Sequence, residues 1–268
     1  MRCKLLILTA VMLSASGARL ASAADMVVKA PVLPAPVAAY NWGGLYIGGN
    51  VGYGWGAPSN PGLSFVDPGA VANFAGYFAA GGNVTPNLNP SGLIGGGQIG
   101  FDWMLSPSLV AGVVTDFQGP GIKDSATNTV TPPGFLTSLQ SNSEQIDWFG
   151  TFRAKLGFAQ NNWLLYATGG LAYGRVATSG CICFGTVAGV PLNFTGSNNT
   201  TNVGWAAGAG LNYGLTSNWI VGIEYLYVDL GSASYVETTA NPGAPASSVT
   251  INNRASVQIA RVSLDYKF

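Results

Sequence analysis

The 268-residue chain contains no histidine. Imidazole is the commonest general base near neutral pH and the commonest metal ligand. Its absence excludes most hydrolases and most metal centres. Charge is also scarce. Charged residues make up 8% of the chain, while hydrophobic residues make up 48%. An ordinary soluble domain carries about 25% charge, so something other than water must cover much of this surface. No run after the N-terminal segment reaches the ~18 apolar residues that a bilayer-crossing helix needs. A membrane protein without such a helix must be a closed barrel, because only helices and barrels satisfy the backbone in lipid.

The N-terminus reads as a leader. Arg2 and Lys4 precede a short apolar core, Leu5 to Leu13, and Ala21-Ser22-Ala23 is a small-residue cleavage site. The pattern predicts a secretory signal peptide over residues 1–23, cut after Ala23. Residues 24–39 include Pro31, Pro34 and Pro36 and predict an extended periplasmic tail. Cleavage removes Arg2, Lys4 and Arg19, leaving 8 bases against 11 acids, a net charge of −3. That excess of acid argues against a nucleic-acid partner.

From residue 40 onward, period-2 alternation dominates. In the run Leu45 to Trp55, the odd positions Leu45, Ile47, Val51, Tyr53 and Trp55 are apolar. The even positions are mostly Gly or Asn. Similar runs occupy 93–103, 109–117, 146–158, 163–175, 203–215 and 219–229, and an eighth ends at Phe268. In the fourth run, Ile146, Trp148, Phe152, Leu156 and Phe158 share one face. Asp147, Thr151, Arg153 and Lys155 share the other. Such lengths suit tilted strands crossing a bilayer. The prediction is an all-β, eight-stranded, antiparallel, up-and-down transmembrane barrel over residues 40–268. In the eighth run, Val257 and Ile259 fall on the polar face, which a bulge near Ala260 or a strand continuing above the membrane would resolve.

The connections alternate in length. Short turns lie at Ser106-Pro107-Ser108, Gln160-Asn161-Asn162 and Thr216-Ser217-Asn218. Four long ones span 56–92, 118–145, 176–202 and 230–253. Short periplasmic turns with long outer loops are the outer-membrane pattern. This topology puts Trp42, Trp103, Phe158, Trp163, Tyr213, Trp219 and Phe268 at the periplasmic strand ends. Trp55, Phe117, Trp148, Tyr173, Trp205 and Tyr227 fall at the outer ends. These are two aromatic girdles. On the lipid face, Arg175 and Asp229 are the charged exceptions, placed at the outer rim. The long loops, as in Val84 to Pro90 and Asn193 to Asn202, read as flexible, exposed cover.

The lumen of an eight-stranded barrel is just wide enough for side chains. Strand counting puts Asn50, Gln98, Arg153, Glu224 and Arg261 inside, near mid-depth. Glu224 is expected to bridge to Arg261 on the next strand, with Arg153 joining from across the lumen. Such a network is either a structural plug or the gate of a narrow channel. Cys181 and Cys183, in the third long connection, can form a local disulfide with no evident function. They offer too few ligands for a metal, and no cofactor is expected.

Several stretches together resemble one family. They are Tyr40 to Gly54 (YNWGGLYIGGNVGYG), Trp148 to Arg153 (WFGTFR), Trp163 to Gly174 (WLLYATGGLAYG), Glu224 to Gly231 (EYLYVDLG) and the terminal Leu264 to Phe268 (LDYKF). The chain resembles the alphaproteobacterial outer-membrane immunogenic proteins, a small porin-family group of rhizobia and brucellae. The resemblance covers the strands but not the loops. It implies an OmpA-like barrel exposed at the cell surface, with structural roles in the envelope. The ending with Tyr266 and Phe268 resembles the signal read by the barrel-assembly machinery. Family members often carry a carboxylate where Val114 and Asn212 stand here, which implies a reduced lumen network. The expected function is a non-enzymatic outer-membrane protein with envelope and surface-interaction roles. The alternative is a narrow channel for small solutes. Expected partners are outer-membrane lipid and lipopolysaccharide, the assembly machinery, and host or peptidoglycan contacts. Oligomeric state is left open.

Overall fold

The computed structural model describes residues 40–56, 62–66, 74–82, 84–187, 190–239 and 247–268. The predicted signal peptide and Pro-rich tail lie outside them. Eight long strands form a ring: β1 (Gly44–Gly56), β3 (Ser91–Met104), β4 (Leu109–Gln118), β6 (Ser138–Gln160), β7 (Trp163–Val187), β8 (Val190–Gly214), β9 (Trp219–Thr239) and β10 (Ser248–Lys267). Neighbours are antiparallel. β1 pairs with β3 on one side and β10 on the other, so the sheet closes on itself. Two short strands extend the wall. β2 (Gly62–Val66) continues the line of β1 along β10, and β5 (Ile122–Val130) continues β4 along β6.

The alternation explains the wall. In β1, Leu45, Ile47, Val51 and Tyr53 are exposed, while Tyr46 and Asn50 between them are buried. Exposed apolar side chains in such number are tolerable where the surrounding solvent is hydrocarbon. Trp103 and Trp163, each 49% exposed, stand at the periplasmic edge, and Trp205 stands at the outer edge. Neighbouring rings meet there, Trp163 with Tyr213 at 4.6 Å and Trp205 with Tyr227 at 5.2 Å.

Trp42 is a correction. It was expected in the periplasmic girdle but is 1% exposed. The chain turns inward before β1, where Gly44 has φ +132°. Trp42 therefore packs inside the periplasmic end against Val110, Leu164 and Ile220. Its indole N–H donates to the Asn161 carbonyl at 3.4 Å.

Ile146 is a second correction. The ladder of β6 with β7 skips a residue between Ile146 and Trp148. That bulge at Asp147 reverses the faces, so Ile146 points inward and is buried while Trp148 stays outside. Asp147 pairs with Arg175 at 3.4 Å. Asp229 is not an open lipid-facing charge either. It is buried, accepts from the Gly231 backbone N–H and pairs with Arg254 at 2.6 Å.

The long connections are also revised. Asn193 to Asn202 belongs to β8, and Cys181 and Cys183 sit in β7 rather than in a loop. The strands simply continue above the outer girdle. Beyond the membrane both faces can be polar, so alternation fades while Thr and other β-formers still favour strand. β10 runs on unbroken past Ala260, with its irregularity at Arg254/Ser256 instead. Val257 and Ile259 do face inward, and Ile259 is 0% exposed.

The interior is therefore stacked in layers. Trp42 and its neighbours close the periplasmic end. A charged layer follows at mid-depth. Above it lies an apolar layer that includes Phe149, Val176, Leu226, Val257 and Ile259. A second apolar cluster fills the outer mouth, built from Tyr77 and Phe78 of the first long connection with Ile182, Phe194, Val249 and Ile251 of the wall.

Candidate functional site

The charged layer is the candidate site. Arg261 and Glu224 are directly opposed on β10 and β9. Arg261 Nε donates to Glu224 Oε2 at 2.8 Å and its Nη2 to the same oxygen at 2.5 Å. Arg153 reaches from β6 and donates through Nη1 to Glu224 Oε1 at 2.7 Å. It also donates through Nε to Thr151 Oγ1 at 2.9 Å and through Nη1 to Thr168 Oγ1 at 2.8 Å.

Asp116, on the inner face of β4, completes the cluster. Its Oδ2 accepts from Arg153 at 2.8 Å, Arg261 at 2.9 Å and the Thr151 hydroxyl at 2.9 Å. Asp116 is not among the residues that the sequence predicts for the network. Charge counting would have found it. Two buried arginines with one carboxylate leave an uncompensated charge, and a second acid facing the same depth removes it.

Asn50 and Gln98 join a different chain of bonds. Asn50 donates to Gln98 Oε1 at 3.3 Å, and Gln98 donates to Asp265 Oδ1 at 2.7 Å. Asp265 also accepts from Ser263 at 3.1 Å. Nearer the periplasm, Lys155 pairs with Asp102 at 2.5 Å and donates to the Tyr46 hydroxyl at 3.1 Å. Its ammonium lies 4.7 Å from the Tyr46 ring centre. Lys267 donates to the Asn41 carbonyl. Asp102, Asp116, Glu224 and Asp265 thus balance Arg153, Lys155, Arg261 and Lys267.

Glycine makes room for these groups. Gly52 faces Arg261 and Gly170 faces Arg153 across their ladders. A Cβ on Gly52 would stand 2.6 Å from Arg261 Cβ, and one on Gly170 2.7 Å from Arg153 Cα. Each large inward side chain lies across a neighbour that has none. The small, Gly-rich inner face seen in the sequence is the negative of the charged layer.

A lumen cavity bordered by Tyr46, Gln98, Arg153, Lys155 and Tyr166 has a volume of about 20 Å³, roughly enough for one water molecule. Tyr266 and Phe268 lie outside at the periplasmic edge with rings 5.1 Å apart, Tyr266 also meeting Trp219 at 5.2 Å. Cys181 and Cys183 are disulfide-bonded with Cα atoms 5.5 Å apart. Among the described residues, no cluster of three or more His, Cys, Asp or Glu could hold a metal.

The comparisons with known proteins agree with this architecture. The family model described as the outer membrane protein β-barrel domain matches residues 11–268. The chain is 34% identical over 252 residues to the 31 kDa outer-membrane immunogenic protein of Brucella melitensis biotype 1, covering 92% of this chain and 93% of that one. It is 26% identical over 255 residues to the 25 kDa outer-membrane immunogenic protein of Brucella abortus biovar 1, covering 92% and 91%. The 22 kDa outer membrane protein of Rhizobium leguminosarum bv. viciae is 28% identical over 209 residues, covering 77% and 71%. With a closed eight-stranded wall, two aromatic edges and this match over most of its length, the chain belongs to the outer membrane protein β-barrel domain family.

Proposed function

We propose that the protein is a non-enzymatic, non-conducting scaffold of the outer membrane, which holds its outer strands and loops at the cell surface. The observation that carries this is the lumen, across which Trp42 and its neighbours, the ion-paired layer and two apolar layers are stacked among the described residues. A solute would have to part a buried cluster in which Asp116 and Glu224 each pair with both Arg153 and Arg261. The absence of histidine supports the non-enzymatic part. Lipid and lipopolysaccharide are the partners of the wall, and host or peptidoglycan contacts are the partners of its two ends. The leader removed after Ala23 delivers the chain to the envelope.

Purified protein in planar bilayers is expected to give no stable ohmic conductance. Steady single-channel currents from the unmodified protein would establish the narrow channel instead. The terminal aromatics Tyr266 and Phe268 are proposed as the handle for the barrel-assembly machinery. Deleting Phe268 should cut the amount of heat-modifiable protein in the outer membrane by roughly tenfold, on the view that an exposed terminal ring recognised by a partner acts as an anchor. Normal levels of the folded form would remove that role.

A further inference from the structure

The lysines and arginines of the described residues fall into two sets. Arg153, Lys155, Arg261 and Lys267 are buried in the balanced lumen. Lys123, Arg175 and Arg254 are exposed and point outward. These three lie at one height, beside the outer aromatic edge. Lys123 faces Ser91, which faces Trp55. Arg175 lies opposite Trp148. Arg254 pairs with Asp229, the ladder partner of Trp205. Among the described residues, no lysine or arginine points outward at the periplasmic edge. The outward cations are therefore placed on one leaflet's side of the wall.

Two of them share a surface on β5 to β7. Lys123 lies opposite Gln145 of β6, and Gln145 opposite Ala177 of β7, two residues above Arg175. Asp147 stands with them. It accepts from Gln145 Nε2 at 2.8 Å and pairs with Arg175 Nε at 3.4 Å, while the Arg175 side chain stays 47% exposed. Asp124, next to Lys123 in sequence, is on the other face, where it accepts from the Asn89 backbone N–H at 2.7 Å. The surface thus carries two cations against one carboxylate. Arg254 differs, because it puts both Nε and Nη2 on Asp229, at 3.2 and 2.6 Å, in a neutral pair.

The same strip of wall is ordered above and below these cations. Below them, Phe117 meets Trp148 at 5.6 Å and Trp148 meets Tyr173 at 6.3 Å, a continuous platform of rings. Below the rings, exposed Phe152 lies opposite exposed Leu171. Above the cations, the ladders align one serine from each of four strands, Ser125 of β5, Ser143 of β6, Ser179 of β7 and Ser197 of β8. Ser143 is half-buried and the other three are exposed. Moving outward, the strip passes from apolar side chains to aromatic rings, then cations, then hydroxyls.

We propose that this strip of β5 to β8 is a docking face for one phosphorylated glycolipid of the outer leaflet, a lipopolysaccharide. Its acyl chains lie along Phe152 and Leu171, its phosphates meet Lys123 and Arg175, and its first sugars lie on the serine row. That is the order of groups along such a lipid. Phosphate oxygens accept charge-assisted hydrogen bonds from ammonium and guanidinium groups. Serine hydroxyls both donate and accept, as sugar hydroxyls do. The proposal rests on the reading of lipopolysaccharide as a partner of the wall and gives that partner a place.

Native mass spectrometry of the folded protein in detergent, mixed with deep-rough lipopolysaccharide, tests it. The unmodified protein should retain one glycolipid per chain. Lys123→Gln/Arg175→Gln should lower retention by roughly tenfold or more, the scale for two cations at an anionic surface. Removing the phosphates from the glycolipid should have the same effect on the unmodified protein. Ser179→Val should lower retention about threefold, the scale of one neutral hydrogen bond, and should leave retention of lipid A without its core sugars unchanged. Equal retention by the double variant, or of the dephosphorylated glycolipid, would overturn the phosphate site and leave lipopolysaccharide a partner of the wall at large. No retention of either glycolipid would overturn that partnership as well. Unchanged retention by Ser179→Val would overturn the role of the serine row. Heat-modifiable mobility checks that each variant is folded. If the double variant is not, Lys123→Gln alone decides, and unchanged retention overturns the proposal.

Discussion

Glu224→Ala should destabilise the barrel by about 3–5 kcal/mol, the range seen when one partner of a buried ion pair is removed. Arg153 and Arg261 would then share the single carboxylate Asp116, at 2.8 and 2.9 Å. One buried positive charge would be uncompensated. Urea unfolding in lipid vesicles, followed by tryptophan fluorescence, measures the loss as a lower midpoint. Removing Arg261 as well should restore part of the stability, because Arg153 with Asp116 is a neutral pair. The coupling between the two sites should be on the order of 2 kcal/mol. A loss below about 1 kcal/mol would mean that water reaches the layer and screens it. The same variant tests the lumen in planar bilayers. If the cluster is a structural plug, the layers above and below still block the path, and Glu224→Ala remains non-conducting. A new conductance would identify the cluster as a gate.

The two halves of this molecule differ in how far their sequence announces them. Between the girdles, lipid and lumen impose opposite demands on alternate residues. Ile47, Val51 and Tyr53 against Gly48, Asn50 and Gly52 therefore read directly as a strand. Above the outer girdle that contrast vanishes. Residues such as Thr195, Asn199 and Thr201 are exposed on the outer face, so the upper arms of β7 and β8 look like loop. Trp42 was misplaced because an aromatic at a strand end satisfies the girdle rule whether it faces lipid or folds under the barrel. Only the inward turn before β1 separates the two. Val257 and Ile259 were legible as an anomaly but not as a layer. Their partners Phe149 and Val176 belong to other strands, and Phe149 reads as inward only once strand register is known.

The candidate site was partly legible for the same reason. Glu224 and Arg261 lie on adjacent strands, so counting from the strand ends brings them opposite each other. Arg153 faces the same depth from across a narrow lumen. Pairing beyond that depends on reach. Gln98 contacts Asp265 rather than the arginines because Asp265 lies across β1 from it, separated by the space over Gly48. The same rule, a long side chain over a glycine, places Lys155 beside Tyr46 and Asp102. Charge in this lumen is thus specified jointly by the acids and bases and by the residues that give them room.

That joint specification gives the second large effect, in a pair of variants one residue apart. Gly170 faces inward on β7, and a Cβ there would meet backbone atoms of β6, the Phe152 carbonyl oxygen and Arg153 Cα, the latter at 2.7 Å. Gly169 faces outward, and its Cβ would meet only the Ala206 carbonyl, at 3.9 Å. Gly170→Val must therefore push β6 from β7 and displace Arg153 from both carboxylates. Overpacking alone costs about 1–3 kcal/mol, and the broken ion pairs add about 3–5 kcal/mol. The sum approaches the whole stability of many proteins, about 5–15 kcal/mol. The expected result is near-complete loss of the heat-modifiable folded form. Gly169→Val adds an apolar, β-favouring side chain to the lipid face and should leave that form intact. Equal behaviour of the two variants, whether both fold or both fail, would show that glycine is kept on β7 for a reason other than the space taken by the charged layer.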